Sequence, residues 1–315
     1  MNPQLNYLTV SDFISSSEKR LTISLSYQVF GKPLHCAPIV LCFHALTGNS
    51  QVAGEKGWWK SIVRKEGVID LGRFSVLCFN VPGNGYFEKE SEPLSHLSTN
   101  DVARLILKGL EFLKIKELHS VIGGSIGGAL AFQLLVIAPG LSKKLIAIAC
   151  DYRTTDWLYA QCLIQEHLLS QEQNPLEKAR AHAMLLYRTP QSFNERFQNA
   201  CDNSTNKRAS LSWLEHHGNQ LRNRYTLQAY RQMNRLLQRL EVKSSELLSI
   251  QADIHLIGID TDLLFPASDM RACYDFLKTK QKNVSYQEIR SPHGHDAFLM
   301  EYPQLIQLLK PLYSI

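Results

Sequence analysis

The stretch SVIGGSIGGALAFQLLVIA (residues 120–138) joins a short apolar run to a longer one through a glycine-rich turn. The first run is typical of a buried strand and the second of a helix. The turn between them matches the GxSxG pattern, in which a tight strand-to-helix connection leaves a serine hydroxyl exposed. We therefore predict that Ser125 is a catalytic nucleophile. The alternative is a glycine-rich turn around an ordinary serine.

Further strand-like runs lie on both sides of this turn. They cover residues 21–31, 37–45, 74–82, 143–151, 252–260 and 284–290. Residues 99–115 repeat apolar side chains at helical spacing, with Thr99 as the expected N-cap. Continuous Val, Ile and Leu runs separated by helices are typical of a parallel sheet covered on both faces. The sequence therefore predicts an α/β fold with a mostly parallel, doubly wound sheet.

The strand-like pattern is interrupted once. From residue 152 to residue 248 the chain is rich in Gln, Arg, Leu and Ala with helical periodicity, and strand-like runs disappear. An all-helical insertion in an α/β chain most simply forms a cap over the edge of the sheet. We predict a core domain made of residues 1–151 and 249–315, and a helical cap, or lid, made of residues 152–248.

The composition excludes several classes of protein. Of the 315 residues, 44% are hydrophobic and 20% are charged, which argues against disordered, collagen-like and coiled-coil chains. No apolar run approaches the roughly 18 to 20 residues that span a bilayer, and the N-terminus lacks a signal-peptide pattern. We expect a cytoplasmic protein that does not associate with membranes. The net charge of +5 comes without dense basic blocks, which argues against nucleic-acid binding and suits an anionic substrate.

The seven cysteines form no CxxC pair. They support neither a disulfide framework nor a zinc site, so we expect reduced thiols and no metal.

A serine nucleophile needs a base to take its proton and an acid to orient that base. Two candidate acids, Asp260 and Asp262, follow one late strand-like run, and two histidines, His293 and His295, follow the next. Both loops lie at carboxyl ends of strands, the edge at which Ser125 also lies. Position favours His295 as the base and leaves both aspartates open.

The reaction intermediate of such a serine carries an oxyanion, which needs two hydrogen-bond donors. One is normally the backbone N–H after the nucleophile, here that of Ile126. The other comes from a loop after an early strand. In the segment HALTG (residues 44–48) we choose Leu46 as that donor.

Several of these segments together resemble the homoserine O-acetyltransferases, acyltransferases of the α/β-hydrolase fold. HALTGNSQVAG (44–54) is similar to the family's oxyanion loop, GGSIGGALAFQ (123–133) to its nucleophile turn, and SPHGHDAFL (291–299) to its histidine motif. DTDLLFP (260–266) resembles its acid motif, and the cap also agrees. The loop NVPGNGYFEKE (80–90) departs from the family, which commonly has a longer loop rich in Gly, Cys and Ser there.

The resemblance assigns roles to individual residues. It implies Ser125 as nucleophile, Asp262 as acid, two positions before the LF pair, and His295 as base. It places the substrate-binding residues of the family at Arg224, Tyr230 and Asp296, which are the expected contacts of an amino-acid substrate. Arg224 would bind the α-carboxylate and Asp296 the α-ammonium group, while Tyr230 would orient the substrate.

The resemblance implies transfer of an acetyl group from acetyl-CoA to the hydroxyl of L-homoserine through an acyl-Ser125 intermediate, a reaction of methionine biosynthesis. It implies no metal or organic cofactor, with acetyl-CoA as co-substrate, and a homodimer formed through the cap helices. Three alternatives stay open. These are an esterase or thioesterase with the same triad, transfer of succinyl or transfer to serine, and a non-catalytic binding protein.

Overall fold

The computed structural model describes residues 4–86, 94, 97–202 and 206–314. Its strands are β1 (Asn6–Ile14), β2 (Arg20–Gly31), β3 (Ile39–Phe43), β4 (Val63–Arg64), β5 (Ile69–Asp70), β6 (Ser75–Phe79), β7 (Ser120–Gly124), β8 (Lys144–Ile148), β9 (Cys201–Asp202), β10 (Lys207–Arg208), β11 (Asp253–Ile259) and β12 (Val284–Ile289).

Its helices are α1 (Thr99–Phe112), α2 (Ile126–Ile137), α3 (Asp156–Leu169), α4 (Pro175–Tyr187), α5 (Pro190–Phe197), α6 (Ala209–Arg222), α7 (Leu227–Gln238), α8 (Ala267–Thr279) and α9 (Tyr302–Tyr313). Two short 3-10 helices cover Glu246–Ser249 and Gly294–Leu299.

One large sheet takes its strands from both ends of the chain. Over the described residues its order is β1-β2-β6-β3-β7-β8-β11-β12, with β1 and β2 antiparallel at one edge and parallel pairing from β6 onward. The predicted α/β fold with a mostly parallel sheet is therefore confirmed.

The buried strands explain this architecture. Every residue of β3, β6 and β7 is buried, as expected for strands covered on both faces. Alternate side chains enter different cores: Leu41 and Leu77 contribute to one hydrophobic cluster, whereas Val40 and Val76 contribute to the other. Because both faces are apolar, helices must cover both, and the sheet is doubly wound.

The predicted start of α1 is wrong by one residue. The N-cap is Ser98, whose hydroxyl accepts a hydrogen bond from the Asp101 backbone N–H at 3.1 Å, while the Asp101 carboxylate accepts one from the Ser98 N–H at 3.0 Å. This reciprocal capping box satisfies two otherwise free donors, so Ser98 is preferred over Thr99, which becomes the first helical residue.

Two other features differ from the sequence-based expectation. The edge strand β1 was not among the predicted strands, because it alternates apolar and exposed residues only in part and contains a bulge between Val10 and Phe13. The cap is also not entirely helical. Its strands β9 and β10 form a small antiparallel pair, in which each strand is two residues long and therefore too short to give a periodic pattern.

The inserted segment leaves and re-enters the sheet at neighbouring strands. Helices α3 to α7 lie between β8 and β11 in the chain, yet these strands pair directly, with Leu145 opposite Ile254. The carboxyl ends of β7, β8, β11 and β12 consequently lie along one edge, below the cap. In the part of the chain that the structure describes, no helix is long and apolar enough to cross a membrane. Of the divergent loop 80–90, residues 87–90 lie outside the described residues.

Candidate active site

Ser125 occupies the turn between β7 and α2 in a conformation unusual for a residue with a side chain. Its φ is 58° and its ψ is −134°. Such a backbone is strained, and close packing around it maintains the turn. A Cβ at Gly127 would lie 2.7 Å from the Phe43 carbonyl oxygen, and one at Gly123 would lie 2.4 Å from the Gly127 carbonyl carbon. Only glycine fits at either position without a backbone shift.

Three side chains predicted from the sequence form a continuous hydrogen-bonded chain at the carboxyl ends of the strands. The His295 Nε2 atom lies 3.0 Å from the Ser125 Oγ atom, and the His295 Nδ1 atom lies 2.7 Å from the Asp262 Oδ2 atom. The other carboxylate oxygen of Asp262 accepts the backbone N–H groups of Leu264 at 2.8 Å and Phe265 at 2.9 Å. The carboxylate is thereby held in one orientation, and it fixes the imidazole that faces the serine.

The surroundings of His295 tune its basicity. Burial lowers the pKa of the imidazole, but the charge of Asp262 and its hydrogen bond outweigh burial, so the net pKa lies above its ordinary value. The rings of Tyr187, Phe265 and Phe298 lie with their centroids 5.6 to 5.7 Å from that of the imidazole. Ser125, Asp262 and His295 are 4%, 5% and 4% exposed, which keeps bulk water largely away from them.

The structure distinguishes between the two candidate acids and between the two candidate histidine bases that the strand pattern predicted. The Asp260 carboxylate accepts the backbone N–H of Ser291 at 3.0 Å. The His293 Nδ1 atom lies 2.8 Å from the hydroxyl of Ser192 at the start of α5. Both residues therefore connect loops, whereas Asp262 and His295 face Ser125.

The two predicted oxyanion donors lie in the loops expected for them. Leu46 is in the loop after β3, and Ile126 is the first residue of α2. Among the residues that the structure describes, no acceptor takes the backbone N–H of either one. The Leu46 carbonyl accepts the Tyr225 hydroxyl at 3.1 Å, which ties this loop to the cap. Both amides are thus available to a ligand, as an oxyanion hole requires.

His44 has a structural role at the base of this loop that the sequence did not indicate. It is fully buried, and its Nε2 atom accepts the Val81 backbone N–H at 3.0 Å and lies 3.2 Å from the amide nitrogen of Asn84. Because Nε2 accepts, the proton is on Nδ1, which donates to the Ala45 carbonyl at 2.8 Å. Burial lowers the pKa of His44 to about 4, so the ring is neutral near pH 7.

The three predicted substrate-binding residues differ in their exposure and in the partners that their polar groups already have. The exposed Arg224 donates from its guanidinium to the Thr47 carbonyl at 2.7 Å, beside the oxyanion loop. The buried Tyr230 donates from its hydroxyl to the Gln165 side-chain oxygen at 3.4 Å. The Asp296 carboxylate is already paired with the Arg188 guanidinium, with 2.9 Å between Oδ2 and Nε. Sequence reasoning missed Arg188, although it lies in the cap segment that carried the resemblance.

A small cavity lies between the cap and these loops. Its volume is about 20 Å³, and side chains of α3, α4 and α7 line it together with Leu46 and Leu264. Its polar lining consists of neutral side chains, among them Gln161, Gln165 and Tyr230. The Gln161 side-chain oxygen has no hydrogen-bond partner among the described residues.

Metal-ligating groups do not gather at this site. Across residues 4–86, 94, 97–202 and 206–314, no three or more His, Cys, Asp or Glu side chains are placed to hold a metal ion. The cysteines of the described residues are all unpaired thiols, and burial raises the pKa of several of them, Cys162 among these to about 12.

Comparison with known proteins gives consistent results. The model of the alpha/beta hydrolase fold family matches residues 38–302. A homoserine O-acetyltransferase of Thermus thermophilus is 30% identical in an alignment that covers 86% of this chain and 80% of that protein. The homoserine O-acetyltransferase of Deinococcus radiodurans is 30% identical over 288 residues, covering 89% of this chain and 83% of its own length.

Two solved structures extend the comparison. The homoserine O-acetyltransferase of Staphylococcus aureus has a TM-score of 0.85 at 24% identity, covering 100% of this chain and 96% of that one. Esterase E22 has a TM-score of 0.89 at 17% identity, covering 99% of this chain and 100% of its own. At these identities the likeness demonstrates a shared fold.

Proposed function

The chain belongs to the homoserine O-acetyltransferase family of the α/β-hydrolase fold and is an acyltransferase, and we propose that it transfers an acetyl group from acetyl-CoA to the hydroxyl of L-homoserine. The observation that carries the proposal is the hydrogen-bonded chain from Asp262 through His295 to Ser125. This reaction would serve methionine biosynthesis in the cytoplasm.

The first half of the proposed reaction acylates the enzyme. His295 Nε2 takes the proton of Ser125 as its Oγ attacks the thioester carbonyl carbon. The backbone N–H groups of Leu46 and Ile126 stabilise the resulting oxyanion. The carbon–sulfur bond then breaks, and the proton on His295 goes to the departing sulfur. Free CoA leaves, and an acetyl ester remains on Ser125.

The second half transfers the acetyl group. The hydroxyl of homoserine gives its proton to His295 Nε2 as its oxygen attacks the acetyl carbon of acyl-Ser125. The ester bond to Ser125 breaks, the proton passes to Ser125 Oγ, and O-acetylhomoserine departs. Asp262 stabilises the imidazolium that forms in each half. Because these groups supply all the proton transfers, the proposed mechanism uses no metal or organic cofactor.

Water competes with homoserine for the acyl-enzyme, so transfer depends on positioning and on exclusion of water. The low exposure of Ser125 and His295 supports this reading. We propose that Arg224 holds the α-carboxylate and that Tyr230 orients the acceptor. Asp296 would take the α-ammonium group on the carboxylate edge that Arg188 leaves open.

The cavity beside Leu46 supports acetyl over succinyl as the transferred group. The side chains that line it are apolar or neutral. A succinyl chain would bring a carboxylate against this neutral, largely apolar lining. We therefore expect succinyl-CoA to be a poor donor.

Purified protein incubated with acetyl-CoA or succinyl-CoA, and with homoserine, serine or no acceptor, tests the proposal by mass spectrometry of the products. We expect O-acetylhomoserine as the main product and no turnover with Ser125→Ala. CoA release that is independent of homoserine, with no acylated amino acid, would instead identify a hydrolase with the same triad. Failure of Ser125 to react with a fluorophosphonate would point to a non-catalytic protein.

A further inference from the structure

The outer cap carries a group of positively charged and imidazole side chains around one tryptophan on α6. The guanidinium carbons of Arg188 and Arg196 lie 6.0 Å and 5.6 Å from the Trp213 ring centroid. The His217 ring centroid lies 4.3 Å from that of Trp213, and His216 lies 5.7 Å from His217. We call these five residues the Trp213 cluster.

The charge of this cluster is only partly neutralised. Arg188 pairs with Asp296, but within the described residues Arg196 has no carboxylate partner. The neighbouring Arg180 of α4, whose guanidinium carbon lies 5.5 Å from the Tyr187 ring centroid, also has none. Arginines without counter-ions provide planar donors for an oxyanion.

The distribution of charge along the chain also indicates that the cap is positively charged. Residues 152–248 contain 13 Lys and Arg against 9 Asp and Glu, so this cap holds most of the net charge of +5. The environment of His217 is also strongly positive. Burial, followed by the charges of Arg180, His216, Arg188 and Arg196, lowers the pKa of His217 to about 4.

The cluster is connected to the active site by an unbroken series of contacts. Arg188, beside the Trp213 ring, binds the carboxylate of Asp296, which directly follows His295. Tyr187, next to Arg188, has its ring centroid 5.6 Å from that of His295. The adjacent residues Tyr187 and Arg188 therefore link the cluster to the residues around the nucleophile.

We propose that the Trp213 cluster, together with Arg180, binds the phosphate groups of the acyl-CoA donor. This inference rests on the proposed function. The thioester lies at one end of the donor and its phosphates at the other, joined by a long pantetheine arm, so the phosphates must bind away from Ser125. Phosphate oxygens provide the acceptors and negative charge that Arg180 and Arg196 lack among the described residues. Binding also relieves the repulsion between the clustered cations.

Comparison of two donors distinguishes phosphate recognition from acetyl transfer. Acetyl-CoA carries the phosphates, whereas S-acetylpantetheine lacks them. We expect Arg180→Ala/Arg196→Ala to raise the KM for acetyl-CoA about ten-fold, which corresponds to one lost charge-assisted contact. The KM for S-acetylpantetheine should stay nearly constant. Rising salt should weaken acetyl-CoA binding to the unaltered protein and not that of S-acetylpantetheine.

Lys178→Ala is the matched control, because it removes one exposed positive charge from α4, two residues from Arg180. We expect it to leave both KM values nearly unchanged. An equal rise in KM for both donors in the double variant, or no rise for acetyl-CoA, would overturn the assignment.

A direct measurement of CoA binding tests the cluster assignment without requiring turnover. Titration of CoA into Ser125→Ala by calorimetry should show binding that the two arginine substitutions weaken. If the arginine substitutions weaken CoA binding in this way while the unaltered protein forms no O-acetylhomoserine, the cluster assignment stands and the proposed function fails. If CoA does not bind, or binds equally well to the double variant, the cluster assignment is wrong.

Discussion

Asp262 acts on Ser125 through the imidazole of His295. One of its oxygens accepts two backbone N–H groups and the other faces the imidazole, so the carboxylate cannot turn away. Its charge also raises the pKa of His295 against the opposing effect of burial. A single carboxylate therefore sets both the orientation and the basicity of the imidazole that faces Ser125.

The pH dependence of acylation follows from this arrangement. His295 must be neutral to take the proton of Ser125, and its pKa lies above the ordinary value of 6.5. The rate of the first CoA release should therefore fall as the pH drops through a midpoint above 6.5. Asp262→Asn removes the charge that raises the pKa, so this midpoint should move to lower pH and the maximal rate should fall roughly 10⁴-fold.

Rapid-quench measurement of CoA release between pH 5 and 9 would check both effects. The acceptor KM serves as the control, since Asp262 touches no part of the proposed acceptor site. An unchanged midpoint in Asp262→Asn would contradict the assigned cause of the pKa shift.

The residue types and their order along the chain predicted which side chains meet at the carboxyl edge of the sheet. In a parallel sheet the loop after each strand begins at that edge, so residues that directly follow the strands lie close together there. Such reasoning does not reveal partners brought together by the cap. The ion pair of Arg188 with Asp296 joins residues 108 positions apart, and no periodic pattern encodes it. The buried bonds of His44 were missed because they join two core-domain loops, and no periodic pattern encodes such contacts either.

At the scale of elements, the loop after β3 depends on buried hydrogen bonds to the loop after β6. His44 accepts the Val81 N–H, and Asn84 lies against the same ring nitrogen. Asn80 adds a bond from its side-chain oxygen to the Ser50 N–H at 2.8 Å. These contacts hold the backbone that presents Leu46 to the site.

His44→Ala should therefore loosen the loop and destabilise the fold. It leaves the buried Val81 N–H without its acceptor, which costs about 1 to 3 kcal/mol in free energy of unfolding. We also expect a lower kcat, because one oxyanion donor loses its fixed position. Urea unfolding and steady-state kinetics would measure the two effects, with the exposed His167→Ala as control.

The same variant should show a weaker dependence of stability on pH. The folded-state pKa of His44 is about 4, below its ordinary 6.5, so lowering the pH from 6.5 to about 4 protonates the unfolded chain first and destabilises the fold. His119 and His217, whose pKa values are also lowered, remain in both proteins. An equally steep pH dependence in His44→Ala would contradict the neutral, buried state of the ring.

Elements with long apolar or periodic runs were predicted within a few residues of their bounds. The exceptions were β1, whose alternation is partial and interrupted by a bulge, and elements stabilised by local contacts. The one-residue error at α1 reflects the reciprocal bonds of Ser98 and Asp101, and β9 and β10 are too short to leave a pattern. Hydrophobic periodicity reports burial, whereas caps and two-residue strands depend on individual hydrogen bonds.

At the scale of the whole molecule, the cap presents apolar side chains to solvent. Trp157 and Ile164 are 48% and 43% exposed and lie seven residues apart on α3, so they share one face of the helix. We propose that this face contributes to a homodimer formed through the cap helices.

Ile164→Asp should then convert dimers into monomers, because it places a charge in an apolar interface. Light scattering coupled to size-exclusion chromatography would measure the mass. Ile14→Asp, at a similarly exposed position on β1 far along the chain from the cap, is the control and should leave the mass unchanged. A dimer that survives Ile164→Asp would exclude this face of α3.

The direct pairing of β8 with β11 has a consequence for synthesis of the chain. Ile148 ends β8, and Asp253 begins β11 about one hundred residues later. At a synthesis rate of roughly 5 to 20 residues per second, about 5 to 20 seconds pass between the synthesis of β8 and that of β11. During that interval the backbone N–H and C=O groups along this edge of β8 lack their strand partner and are open to pairing with other nascent chains.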